Sequence, residues 1–226
     1  PMFTRVRHIA FNTEAERQLC RSVFGRFLAP NSIVGCGIEM APEAEWGGVK
    51  AKYELPDEYV LYLGRVSKAK VDKLLPYFLR CKAKYGGDAK LVLVGGFENE
   101  IRKFDSPDIL FTGYVSDEEK TAIVRHATVM VNPSPMESLS LLMLEGMQSR
   151  IPLLVNGRSK VMKDHCRLSG AGLWYNNGRD FRKKLHRLLS DPELRRTMSE
   201  KGPAYVREHY DWEIIIPKLR TLIESI

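Results

Sequence analysis

The chain reads as an α/β protein with a mainly parallel sheet flanked by helices. Three observations predict this. From residue 59 onward, short apolar runs rich in Val, Leu and Ile recur, each bounded by Gly, Pro or polar residues. Segments of helical pattern separate them, each about ten residues or longer. The glycine-rich and polar loops follow the apolar runs, which is where such sheets place their ligands.

The elements can be justified in order. Arg5 to Ala10 alternates weakly and reads as a strand. Glu14 to Phe24 is a helical pattern capped by Asn12 or Thr13. Ser32 to Cys36 is a short apolar strand, and Ala41 to Glu58, rich in Pro, Gly and charge, reads as a connector with one helical turn. Tyr59 to Leu63 is a buried strand followed by Gly64-Arg65 and a helix to about Tyr85, in which Pro76 predicts a restart or kink. Leu91 to Val94 is the next strand, ended by Gly95-Gly96, and Ile109 to Phe111 the one after. Ser116-Asp117-Glu118-Glu119 is a capping box that opens a helix to His126. Thr128 to Val131 leads into a helix carrying Glu145; Pro152 to Val155 and Gly172 to Tyr175 are the last two strands. Asp180 to Leu189 is helical, Asp191-Pro192 opens another helix with a cap and a proline at the first position, and Asp211 to Ile226 is a terminal helix. Alternating strands and helices of this kind build parallel sheets. Four loops then fall at carboxyl ends of strands and converge on one crevice: Gly64-Arg65, Gly95-Gly96, Gly113-Tyr114 and Ser134 to Ser140.

Composition narrows the function. With 226 residues, 44% hydrophobic and 28% charged, the chain has room for one or two domains. Its net charge of +7 suits phosphorylated small molecules, an anionic membrane surface or nucleic acid. The basic residues are scattered, with no Arg/Lys tract and no RNA-binding aromatic signature, which argues against nucleic acid. Cys20, Cys36, Cys81 and Cys166 have no CxxC spacing, so neither a zinc site nor a redox pair is expected. Scattered thiols read as reduced and cytoplasmic. No apolar run reaches the ~18 residues of a membrane span, and no signal peptide is visible. Pro1 ahead of Met2 reads as a tag remnant. Neither GxGxxG nor GxxxxGK[ST] occurs, which argues against a dehydrogenase or a P-loop protein.

The most informative stretch runs from Asn132 to Glu145. Glu137 and Glu145 stand eight positions apart, one before a helix and one inside it. Ser140 reads as the N-cap, its hydroxyl accepting from a first-turn N–H. A helix N-terminus holds an anion, and carboxylates accept hydrogen bonds from sugar hydroxyls. The pattern therefore suits an anion beside a polyol, as in a nucleotide sugar. Residue 149 is Ser, so Glu145 has no basic partner one turn on. The five histidines, His8, His126, His165, His186 and His209, read as structural or exposed. Leu139, Leu141 and Trp174 read as core side chains, and Trp212 as packing the final helix against another domain.

These pieces together resemble the C-terminal, donor-binding half of GT-B glycosyltransferases, in particular the retaining group 1 or family 4 class. The resemblance covers about residues 33 to 226. Gly64-Arg65 with Lys70 resembles the family's "GR…K" loop, and Leu91 to Gly96 its next strand and glycine turn. Phe111-Thr112-Gly113-Tyr114-Val115 resembles its F-x-G-x-V segment. Glu137 and Glu145 reproduce the E-x7-E signature, and Ile151-Pro152 the start of the following strand. The family usually has Gly where this chain has Ser138 and Ser140, and Val71 replaces a common Gly after Lys70. The segment from Asn156 to Cys166 replaces a glycine-rich stretch, a variant of a bacterial subset.

The resemblance implies a Rossmann-like fold and a retaining glycosyltransferase that moves a sugar, of hexosyl type, from a nucleoside-diphosphate sugar to a glycan or lipid-linked acceptor. It implies catalytic roles for Arg65, Lys70 and Glu137. The donor-binding set it implies is Gly64, Arg65, Lys70, Gly95, Tyr114, Val115, Ser134, Glu137, Ser138, Leu139, Ser140, Leu141 and Glu145. Arg65 and Lys70 would neutralise the leaving diphosphate, Glu145 would accept from the ribose, Glu137 would hold the transferred sugar, and Tyr114 and Val115 would edge the base. No metal or other cofactor is implied. Residues 1–30 resemble the end of an acceptor domain that is otherwise absent, residues 31–210 the nucleotide-sugar domain, and residues 211–226 a C-terminal helix. On this reading the chain by itself is weakly active, cytoplasmic, and able to touch the inner membrane face. The rivals are a non-catalytic nucleotide-binding module, one subunit of a split transferase, or a GT-B epimerase.

Overall fold

β3 (Tyr59–Leu63) is buried along its whole length, and in the computed structural model it lies at the centre of a six-stranded sheet. The structure describes residues 5–25, 29–96 and 106–225; the Pro1-Met2 pair lies outside them. The other strands are β4 (Lys90–Val94), β5 (Ile109–Gly113), β6 (Val129–Asn132), β7 (Leu153–Asn156) and β8 (Gly172–Tyr175). Their order is β5-β4-β3-β6-β7-β8, and every pair is parallel. This is the order of a doubly wound sheet, with its switch point between β3 and β6. A parallel sheet covered on both faces needs strands apolar on both sides, which explains the unbroken Tyr-Val-Leu-Tyr-Leu of β3.

Helices cover both faces. On one side α5 (Asp117–Arg125), α6 (Leu141–Gln148), α7 (Lys160–Ser169) and the long α9 (Pro192–Tyr210) bury Leu61, Met130, Met143 and Met147 with their neighbours. On the other, α4 (Leu74–Tyr85) and α8 (Gly178–Ser190) enclose Val60, Leu91, Val129 and Phe181. α1 (Glu14–Phe24), capped by Thr13, packs on α7, and α10 (Trp212–Glu224) follows α9. The Ser116 capping box is present in both its bonds.

Several expectations change. β1 is Ile9–Phe11, not residues 5–10, and it pairs in parallel with β2 (Asn31–Ile33) in a separate two-stranded sheet. That sheet joins residues from both sides of the boundary expected after residue 30. The expected connector contains α2 (Trp46–Lys52), longer than one turn because the Glu45 carboxylate accepts from the N–H groups of Gly47 and Gly48. The helix after β3 breaks before Pro76, between α3 (Lys68–Val71) and α4. Pro76 sits in the first turn of α4, where a missing N–H costs nothing. α7 was not anticipated, although Ser159 caps it by accepting from Met162 N–H. Trp212 packs on Gly37 of its own chain, where any Cβ would overlap the indole. Trp174 is half-buried, packing against the edge of the core with Lys163 and Lys184 over its ring.

Candidate functional site

β3 and β6 are neighbours in space but not in sequence, and a cavity of about 400 Å3 opens beyond their carboxyl ends. β3 delivers Leu63, Gly64 and Arg65; β6 delivers Asn132, Pro133 and Ser134; the start of α6 delivers Glu137 to Leu142. Gly64 has a φ of 129°, a left-handed value that lets the chain turn out of β3 at once. The Tyr62 hydroxyl donates to the Arg65 carbonyl at 2.9 Å and pins that turn. Burial, and secondarily the Glu137 carboxylate, pushes the Tyr62 phenol up to about 12, so it stays a donor.

The loop between β6 and α6 is held by its own polar side chains. Asn132 Oδ1 accepts from Ser134 N–H at 3.0 Å, and Ser134 Oγ donates to the Met136 carbonyl at 2.9 Å. Asn132 Nδ2 donates to Ser140 Oγ at 3.1 Å. Lys70 Nζ reaches in from α3, 3.4 Å from Ser134 Oγ and 3.7 Å from Glu137 Oε1. Thr13 Oγ1 donates to the Ser138 carbonyl at 3.4 Å, and Asn12 lines the cavity, so the β1–α1 turn touches this loop.

Ser140 stands at the N-cap, but not as expected. Its backbone is left-handed (φ 67°, ψ 74°), and its hydroxyl is turned to Asn132, so no side chain caps α6. The first-turn N–H groups are thereby left without a side-chain acceptor beside the cavity. A left-handed residue costs a Cβ-bearing side chain roughly 1–2 kcal/mol, a cost a glycine at this position would avoid. Leu139 is buried as expected, whereas Leu141 is 45% exposed and faces the cavity.

The structure therefore brings Gly64, Arg65, Lys70, Ser134, Glu137, Ser138, Leu139, Ser140 and Leu141 together around one cavity. Gly95, Tyr114, Val115 and Glu145 lie outside its lining. Gly95, at φ 133°, backs onto Gly64, and a Cβ there would overlap the Gly64 carbonyl. Its contribution is to let the β4 turn press against the β3 turn. Tyr114 is 86% exposed and lies over Gly96, while Val115 packs partly against the core. Glu145 has a basic partner after all: Lys120 of α5, at 3.3 Å. Cys36, Asn12, Tyr62 and Asn132 were not anticipated. Asn132 carried a signal, since a polar residue ending an apolar strand invites such a loop.

None of the five histidines lines the cavity. His126 stacks on Trp46 and His186 on Tyr85. His165 is buried, with Nδ1 2.9 Å from the Tyr205 hydroxyl. Burial pulls its imidazole down to about 4, so it is neutral at physiological pH. Among the described residues, no group of three or more His, Cys, Asp or Glu side chains is arranged to hold a metal ion. Nor is any described helix long and apolar enough to cross a membrane.

The model for "Glycosyl transferases group 1" matches residues 49–205, which span β3 through β8 and most of α9. The chain belongs to this family. An α-D-kanosaminyltransferase of Streptomyces kanamyceticus is 30% identical over 174 residues, covering 71% of this chain and 44% of that protein. The fold recurs in sucrose-phosphate synthase from Thermosynechococcus elongatus (TM-score 0.79, 20% identity, 99% of this chain and 59% of that one). It recurs also in HepE of Anabaena, solved with UDP and glucose (TM-score 0.79, 11% identity, 98% and 64%). This is the Rossmann-like fold of GT-B glycosyltransferases. The chain spans less than half the length of the curated relatives it matches.

Proposed function

We propose that this chain supplies the donor-binding half of a retaining glycosyltransferase, which moves a sugar from a nucleoside-diphosphate sugar to a glycan or lipid-linked acceptor. The observation that carries this reading is the meeting of two cations and an uncapped helix start around the switch-point cavity. Arg65, Lys70 and the first turn of α6 line it together, with Glu137 beside Lys70. A diphosphate fits between them, because free N–H groups, the helix dipole and two cations all favour it.

In the reaction, the bond from the sugar's anomeric carbon to the diphosphate oxygen breaks, and its electron pair leaves with that oxygen. Arg65 and Lys70 stabilise the departing charge. The acceptor hydroxyl attacks the same face, so configuration is retained. Glu137 accepts from hydroxyls of the transferred sugar and, by its contact with Lys70, keeps that ammonium at the diphosphate. Glu145 accepts from the ribose. Its Oε2 has no hydrogen-bond partner within the described chain. The acceptor is held largely outside this chain, so by itself the chain binds donor weakly and transfers little. Isothermal calorimetry with a panel of nucleoside diphosphates tests the assignment. Saturable heat for at least one supports it; no binding of any at millimolar concentration removes it.

A further inference from the structure

A second cavity, of about 300 Å3, lies beyond the carboxyl ends of β6, β7 and β8. Lys70, Lys73 and Arg158 line it, against Asp72 as the one lining carboxylate. Among the described residues, neither Lys73 nor Arg158 has an ion-pair partner, and the one carboxylate Lys70 pairs with is Glu137, at 3.7 Å. Bringing three cations to one cavity is unfavourable unless an anion joins them.

The walls are built rather than incidental. Asn156 Oδ1 accepts from Arg158 N–H at 3.1 Å, and its Nδ2 donates to the Pro133 carbonyl at 2.9 Å. One side chain thus ties the loop after β7 to the loop after β6. Asn177 spends its side-chain oxygen on Asp180 N–H at 3.0 Å, capping α8 and leaving its amide NH2 for the cavity. The Tyr77 ring closes one wall by lying on Gly178, where a Cβ would come within 2.6 Å of it. Arg158, Lys70, Lys73 and the Asn177 amide thus line one open cavity whose backbone loops are tied together.

We infer that this cavity is a second anion site, taking the phosphate of a phosphate monoester. A dianion balances the net charge of the lining, the arginine fork suits phosphate oxygens, and the volume admits a phosphate with part of a sugar. Lys70 and Pro133 line both cavities, so an occupant here sits beside the donor cavity. As the anchor of a phosphorylated acceptor, the site rests on the donor reading above; its affinity for phosphate does not.

The test is calorimetric titration of the chain with glucose 6-phosphate, inorganic phosphate and glucose, with and without saturating UDP. A Lys73→Ala/Arg158→Ala variant is run in parallel. Both phosphates should bind in the presence of UDP and glucose should not. The double substitution should weaken phosphate binding by about tenfold or more and leave UDP affinity within about twofold. Glucose 6-phosphate binding about tenfold tighter than inorganic phosphate assigns the site to a phosphorylated acceptor. Equal affinity assigns it to free phosphate. No phosphate binding at tens of millimolar, binding that the double substitution does not change, or displacement of phosphate by UDP overturns the inference. Phosphate binding without UDP binding would remove the donor reading alone.

Discussion

Lys120 Nζ lies 3.3 Å from Glu145 Oε1, joining α5 to the middle of α6. Burial opposes the charge on Lys120, yet Glu145 and Asp117 beside it hold its ammonium above the ordinary range. The pair fixes one carboxylate oxygen and leaves the other, Oε2, buried and without a partner. A ribose hydroxyl would complete it. Glu145→Ala should therefore weaken ribonucleoside diphosphate binding by about tenfold, the worth of one good hydrogen bond to a charged group. It should also abolish any preference over the 2′-deoxy analogue. Calorimetry with both ligands measures this; an affinity unchanged by the substitution places the ribose elsewhere.

The left-handed backbone at Ser140 gives a second prediction. Replacing Ser140 with Gly relieves the conformational cost but loses the bond from Asn132, two effects of about 1 kcal/mol each and of opposite sign. Ser140→Gly should leave Tm within about 3 °C. Ser140→Val, β-branched in a conformation that disfavours it, should lower Tm by about 5 °C or more. Thermal denaturation of both variants separates the backbone demand from the hydrogen bond. Equal Tm for the two would show that the φ of 67° is not imposed by the fold.

Much of this was legible in the sequence because parallel sheets write themselves plainly. A five-residue apolar run such as Tyr59 to Leu63, rich in aromatic and branched residues and followed by Gly64, reads as a buried strand, and a Ser116-x-x-Glu119 box announces its helix. The loops lining the cavity followed from their position at strand ends. What was not legible depends on contacts between distant segments. Lys120 is 25 residues from Glu145, so no i,i+4 rule could pair them. Gly95 looks like a ligand-facing glycine, but the close approach it permits is to Gly64. Ser140 has the right identity for a cap, yet a side chain eight residues away, Asn132, competes for its hydroxyl. α7 is hard to read because its cap, Ser159, follows directly on the tight turn Asn156-Gly157-Arg158, with no spacer to separate loop from helix.

The helix that carries Glu145 depends on a close backbone contact. A Cβ at Gly202 of α9 would stand 2.5 Å from the Met147 carbonyl oxygen at the end of α6. Backbone cannot yield as a flexible side chain does. Gly202→Ala should therefore cost about 1–3 kcal/mol and lower Tm by about 2–8 °C. Because α6 must shift, nucleotide binding should weaken as well, although Gly202 is not in the cavity. Denaturation and calorimetry on the same sample check both; a variant as stable as the parent would mean the two helices can separate freely.

His165 sets the pH dependence. Its folded-state pKa of about 4 lies below the ordinary 6.5 chiefly through burial, with His209 adding to the lowering and Asp164 and the Leu139 backbone opposing it. Between these values the unfolded chain binds the extra proton and the folded one does not. The stability tied to a neutral His165 is therefore fully present above pH 6.5 and is lost as pH falls toward 4. The loss is on the order of 3 kcal/mol if burial is complete. Urea denaturation at pH 7.0, 5.5 and 4.5 should show a falling midpoint, and His165→Leu should flatten that slope. The variant also removes the bond between His165 and the Tyr205 hydroxyl, so its stability at neutral pH should be lower than the parent's. A slope unchanged in the variant would assign the acid sensitivity to carboxylates instead.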